Sequence, residues 1–255
     1  MKGKNEDSSK LGMNRTGIKA SPIDGPRMIE GAERLTPLDT SNEPGSYVRM
    51  TVRGASLEGS MGTVPPATTP KGMAKTAIKM LRGLDPSVLI DKLGARLAFE
   101  RAGVRLYDAA LVKLAAHGSW EGGPDVAGLK HIRAEELEHF HMLCECVESL
   151  GADPTAVTPA ANVEAMASEG IVKLLNDPRS SLSQALEGLM IAELADNACW
   201  ENLIQLARSM GQDDFAVRFE EALRQENEHL AMVRGWMERR MVDAAHLELE
   251  EAPPS

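Results

Sequence analysis

The sequence predicts an all-α chain: an antiparallel four-helix bundle with one long crossover, preceded by a mostly irregular N-terminal arm. Three observations predict it. Aromatic residues make up only 4% of the 255 residues, fewer than a large β-sheet fold would want. Four segments between residues 85 and 241 carry apolar residues spaced alternately three and four apart, the stripe of a core-facing helix. Their connections run short, long, short. Short loops make antiparallel neighbours of helices one and two and of helices three and four, and the long one has length enough to cross the bundle.

The arm, residues 1–84, is dense in Pro and Gly and sustains no apolar period. A short strand or hairpin is expected over Gly45–Leu57 and one or two helical turns over Met73–Leu81. The rest reads as disordered or laid over a partner. Its net charge is +5, against −15 for the remainder. A basic arm on an acidic body either folds back onto it, reaches a neighbouring subunit or is a solvated tail.

Helix one opens at Asp85-Pro86, an N-cap followed by Pro at the first helical position, and runs to about Ala116. The loop HGSWEGGPD leads to helix two, about Val126 to Leu150, which stops at Gly151. The connection 151–180 holds a short helix near Asn162–Leu175. Helix three starts at Ser181 or Ser183 and ends at Gly211. Asp213 is expected to cap helix four, which continues to about Met241, and residues 242–255 form a polar tail that frays.

Several classes are excluded. A net charge of −10 argues against a general nucleic-acid binder. No apolar run approaches the roughly 18–20 residues of a membrane helix. The start, MKGKNEDSSK, has no apolar core after its lysines and does not read as a signal peptide. The three cysteines, Cys144, Cys146 and Cys199, make neither a disulfide framework nor a CxxC pair. A soluble, cytoplasmic protein is expected.

Each helical seam is apolar at both ends and acidic in the middle. Helix one reads Leu97, Glu100, Val104, Tyr107; helix two Ile132, Glu136, His139, Leu143. Helix three reads Leu189, Glu193, Asp196, Trp200; helix four Ala222, Glu226, His229, Val233. Burying one uncompensated carboxylate costs several kcal/mol, and four facing each other also repel. Spacing supplies the compensation. Glu136 and His139, like Glu226 and His229, are three apart and so lie on one helical face. With single Glu100 and Glu193, they form a set of four carboxylates and two imidazoles. That set suits two divalent metal ions, iron first and manganese second, with zinc or cobalt also accepted.

The chain is internally repeated. Half one reads ERAGVRLY then EELEH; half two reads ELADNACW then QENEH. Seven residues after each lone Glu stands a large aromatic, Tyr107 or Trp200. Two similar hairpins about a pseudo-twofold axis would bring the six ligands to one centre.

Other residues have plainer readings. A lone buried His is ordinarily satisfied by a carbonyl or carboxylate. Tyr107 and Trp200 fill a bundle interior well. A buried tyrosine hydroxyl still needs a partner, and a ligand carboxylate is the nearest, which makes Tyr107 the candidate catalytic residue. Asp196 either bonds a ligand His nitrogen or faces a neighbouring helix. Glu135, Glu138 and Glu228 point off the ligand face, toward a flank or an interhelical ion pair. His117, His131 and His141 read as surface residues, and Cys144 and Cys146 as small packing residues.

Glu100, Glu136-x-x-His139, Glu193 and Glu226-x-x-His229 resemble the di-metal carboxylate signature of the ferritin-like superfamily, which includes bacterioferritins, rubrerythrins and manganese catalases. Tyr107 is similar to a tyrosine near the di-iron centre of several members. The resemblance implies terminal ligation by Glu100 and Glu193, bridging by Glu136 and Glu226, and one His per metal. It implies a ferroxidase or peroxidase type of oxidoreductase that uses dioxygen or hydrogen peroxide with an unknown electron donor, and a homo-oligomer. The chain departs from full rubrerythrins in lacking a rubredoxin-like Cys pair. Alternatives are an iron-storage cage subunit and a non-catalytic, partner-binding ferritin-like module.

Overall fold

The computed structural model describes residues 85–250, with side chains up to residue 245. The expectations for residues 1–84 and for 251–255 lie outside the described residues. Among the described residues there are five helices and no strand: α1 (Pro86–His117), α2 (Val126–Ser149), α3 (Pro159–Asn176), α4 (Leu182–Ser209) and α5 (Asp213–Glu250). None is long and apolar enough to cross a membrane.

Local chemistry sets the helix ends. Asp85 Oδ1 accepts the Ser87 backbone N–H at 2.9 Å, and Pro86 occupies the first helical position. Asp125 Oδ1 caps α2 by accepting from Gly128 N at 2.6 Å. Ser181 and Gln184 form a reciprocal capping box at α4, which settles the choice between Ser181 and Ser183. α4 ends in a turn in which Gly211 takes φ 64° and Gln212 N reaches back to Ala207 O at 2.9 Å.

Three expectations are corrected. The connecting helix starts at Pro159 rather than near Asn162, because Thr158 caps it: its hydroxyl accepts from Ala161 N at 3.2 Å. Asp213 is not the cap of the last helix. Gln212 O accepts the first helical bond, from Ala216 N at 3.0 Å, so Asp213 and Asp214 lie in the first turn and face the positive end of the helix dipole. That helix also runs past Met241 to Glu250, since no Gly or Pro interrupts residues 242–250 and Ala, Leu and Glu favour helix.

The residues divide into two compact units. The smaller comprises residues up to Ala95 together with Leu150–Asn162. In it Thr158 Oγ1 donates to Asp91 O at 3.1 Å and Asp91 Oδ1 accepts from Ala160 N at 2.9 Å. Gly94 leaves room there for the Thr158 side chain.

The larger unit, Arg96–Ser149 with Val163–Ser255, contains the bundle. Asp108 pairs with Arg133, which sets α1 beside α2. Lys113 Nζ donates to Ser180 O at 2.6 Å, and Tyr107 reaches Glu193, so α1 and α4 run antiparallel. Arg218 meets Glu145 while Gly128 lies against Trp236, so α2 and α5 run antiparallel as well. α2 and α4 are therefore parallel, and the segment holding α3 must return the length of the bundle. This is the ferritin-like connection the loop lengths predict. Leu129, Ile132, Leu186 and Leu189 lie in the core, each worth about 1.5–3 kcal/mol of apolar burial.

Candidate metal centre

Each of α1, α2, α4 and α5 brings one acidic stretch to the middle of the bundle. Glu100, Glu136, His139, Glu193, Glu226 and His229 are all at most 3% exposed. Their donor atoms converge. One group is Glu136, Glu193, Glu226 and His229; another is Glu100, His139 and Glu226. Within each, the donor atoms lie within 4.8 Å of one another, close enough to hold a metal ion. A third group joins Glu100, Glu136, Asp196 and Glu226. All six residues singled out in the sequence therefore lie in one buried cluster.

Glu226 is central. His139 Nδ1 lies 2.8 Å from its Oε1 and His229 Nδ1 lies 3.1 Å from its Oε2. Both imidazoles thus turn the same ring nitrogen inward. The outer nitrogens have their own acceptors. His139 Nε2 meets Gln225 Oε1 at 2.7 Å, and His229 Nε2 meets Glu135 Oε2 at 2.8 Å. Gln225 Nε2 also donates to Glu135 Oε1 at 3.0 Å. Glu135 and Gln225 each stand immediately before the Glu of one motif, and each supports the histidine of the other.

Tyr107 donates its hydroxyl to Glu193 Oε1. Asn197 Nδ2 joins α4 to α5 by bonding Glu193 O at 2.9 Å and Glu226 O at 3.1 Å. Trp200 sets its ring edge-on to His139, with centroids 5.6 Å apart, and packs against Phe219.

Electrostatics follow from burial and crowding. Burial raises Glu136 well above the ordinary carboxylate range, and the charges of Glu226 and Glu100 add to this. Burial and Glu226 push Glu193 up to about 8. Burial opposes the charged form of Glu226 too, but its close contacts with the His139 and His229 imidazoles outweigh it and hold Glu226 below its ordinary value. Burial alone would lower the two histidines. Their carboxylate partners instead raise His139 to about 10 and His229 to about 9. Burial, then the charge on Glu193, raises Tyr107.

Several inward atoms remain without an aligned hydrogen bond: Glu100 Oε2, Glu136 Oε2, Glu193 Oε2, Glu226 Oε1 and His139 Nδ1. Leaving a buried polar group unsatisfied costs about 1–3 kcal/mol, and more when it is charged. Oxygen and imidazole nitrogen atoms aimed at a common interior form the donor set of a divalent metal. The residues present fit such an ion.

Some participants were not singled out in the sequence. Arg96 is buried, with Nε 2.7 Å from Glu100 Oε1 and Nη2 2.6 Å from Asp196 Oδ1. Asp196 therefore faces the neighbouring helix α1 rather than a ligand histidine. Burial works against the Arg96 charge, but Asp196 and Glu100 more than restore it. Gly103 is another omission: a Cβ there would overlap Glu136 Oε2. The available signals were the i to i+4 spacing of Arg96 and Glu100 and a glycine inside a helix one turn after a seam acid.

Glu135 takes the interhelical ion-pair position expected for it. Glu228 instead pairs with Arg224 on its own helix, and Glu138, His117, His131 and His141 are exposed. Cys146 is buried and Cys144 half-buried.

The model of the Ferritin-like domain matches residues 105–241. Neither the curated proteins nor the solved structures gave a significant match. The matched region holds both Glu-x-x-His motifs and Glu193, while Glu100 lies just ahead of it. It spans more than half of the chain, and the chain belongs to the Ferritin-like domain family.

Proposed function

We propose that this protein is a binuclear metal oxidoreductase that binds two divalent ions, iron first and manganese second, and uses dioxygen or hydrogen peroxide as oxidant. The observation that carries this reading is the convergence of Glu100, Glu136, His139, Glu193, Glu226 and His229, with inward atoms that lack aligned partners. Four carboxylates neutralise two dications, which offsets the burial and mutual repulsion that raise Glu136 and Glu193.

Glu193 and His229 would serve one ion, and Glu100 and His139 the other. Glu136 and Glu226 would be shared. Bound ferrous ions would supply electrons to dioxygen or peroxide, a ferroxidase or peroxidase type of chemistry. The protein holds the donors on rigid helices and excludes bulk water. Tyr107 orients Glu193 through its hydroxyl. A separate electron donor and assembly into a homo-oligomer belong to the same proposal.

The test is metal content by elemental mass spectrometry, before and after anaerobic ferrous loading and desalting. About two ions per chain, followed by consumption of oxygen or peroxide by the loaded protein, supports the proposal. Hundreds per assembly point to storage. No retained metal overturns the reading.

A further inference from the structure

The two halves of the centre have the same layout but not the same charge. Glu135 and Gln225 hold equivalent places, each one residue before the Glu of its motif and each behind the histidine of the other. Behind His229 stands a carboxylate; behind His139 stands a neutral amide. The orientation of the amide is fixed from both sides. Gln225 Oε1 meets His139 Nε2 at 2.7 Å while its Nε2 donates to Glu135 Oε1 at 3.0 Å. Reversing the amide would set two donors together and two acceptors together.

The lone carboxylates differ in the same direction. Glu193 is held by the neutral hydroxyl of Tyr107. Glu100 has one oxygen 2.7 Å from the guanidinium of Arg96, leaving Oε2 as its free donor. Asp196 offsets the Arg96 charge at 2.6 Å. Beyond the shared Glu136 and Glu226, Glu193 and Glu135 then put two negative charges on the His229 side. Glu100, Asp196 and Arg96 sum to one on the His139 side. A carboxylate behind a ligating imidazole makes it a stronger donor, and a cation beside a ligand carboxylate weakens it.

We infer that Glu135, Gln225 and Arg96 make the two metal positions unequal, so that the first divalent ion settles at Glu193–His229 and the second binds more weakly at Glu100–His139. The inference rests on the metal-centre reading and deepens it. Glu135, Gln225 and Arg96 act through other residues and are positioning residues.

The experiment is a titration of the metal-free full chain with cobalt(II), followed by equilibrium dialysis and elemental analysis. Wild type should bind in two steps with affinities at least about tenfold apart. His139→Ala should retain one ion at the tighter affinity and His229→Ala one at the weaker. Glu135→Gln keeps a hydrogen-bond acceptor behind His229 but removes the charge. It should weaken the first step by about ten- to hundredfold, bring the two steps together and leave helix content unchanged by circular dichroism. Gln225→Glu should tighten the second step. These two isosteric changes separate charge from structure, since a merely structural role would lower both steps alike. Two equal steps in wild type, or an unchanged first step in Glu135→Gln, would overturn the inference while leaving the metal centre standing. Absence of cobalt binding by wild type would overturn both.

Discussion

His139 faces Glu226 across the α2–α5 interface, with Nδ1 and Oε1 2.8 Å apart. The two belong to different Glu-x-x-His motifs, so each motif supplies a charge partner to the other. His229 approaches the second oxygen of the same carboxylate at 3.1 Å. One carboxylate between two imidazoles leaves a strong mark on how the metal-free bundle responds to pH.

Glu193 at about 8 against 4.5, His229 at about 9 against 6.5 and His139 at about 10 against 6.5 hold protons more tightly folded than unfolded, as does the buried Glu136. The stability each adds is complete below its unfolded value and disappears as pH rises through its folded value. Glu226 has the opposite sign, with stability present above 4.5 and lost as pH falls below it. The thermal midpoint of the metal-free protein should fall between about pH 6 and about pH 9. Calorimetry after chelation measures this; a midpoint that rises over that span contradicts the ion-pair assignments.

Removing a shared or terminal ligand should cost metal before it costs fold. Glu136→Ala and His229→Ala are each expected to leave no more than one bound ion per chain, with circular dichroism close to wild type. Two ions retained at unchanged affinity in both variants would show that the donors are misassigned.

Gly103→Ala tests the close approach of Glu136 to α1. The added methyl would overlap Oε2, so the carboxylate must turn away. Alanine is the better helix former by about 1 kcal/mol, so helix propensity alone would stabilise the variant. The expected result is weaker metal binding without loss of the helical signal, read by competition with a chelator. Wild-type affinity would mean that the carboxylate is held from elsewhere.

Tyr107→Phe leaves Glu193 Oε1 without its donor in a site at most 2% exposed. The metal-free variant should be destabilised by about 1–3 kcal/mol. Chemical denaturation measures the loss, and a change near zero would mean that the hydroxyl does not satisfy Glu193.

The six clustered donors were legible in the sequence because helical spacing alone aligns Glu136 with His139 and Glu226 with His229. The lone Glu100 and Glu193 were legible as acids inside apolar seams. Arg96 was not. Its charge suggests surface, and its burial depends on Asp196, a partner remote in the chain. Gln225, and the histidine that Glu135 supports, were hidden for a related reason. Gln225 and Glu135 each lie just before one motif and look like flanking residues, until α2 and α5 pack and each reaches the histidine of the opposite helix. The starts of the connecting and last helices slipped because Thr158 and Gln212, not the more conspicuous Asn162 and Asp213, provide the first acceptors.

The crossed support between the motifs limits how the chain can be divided. Each hairpin carries three of the six donors, yet the group that orients each imidazole from behind belongs to the other hairpin. A fragment ending after α2 would keep His139 and lose Gln225; a fragment beginning at α4 would keep His229 and lose Glu135. Either fragment would need a second copy of itself to complete six donors. Such a homodimer would back both imidazoles with Glu135 or both with Gln225, and would be symmetric by construction. The unsymmetric support seen here requires both halves to be present and different, so it belongs to the joined chain and to neither hairpin.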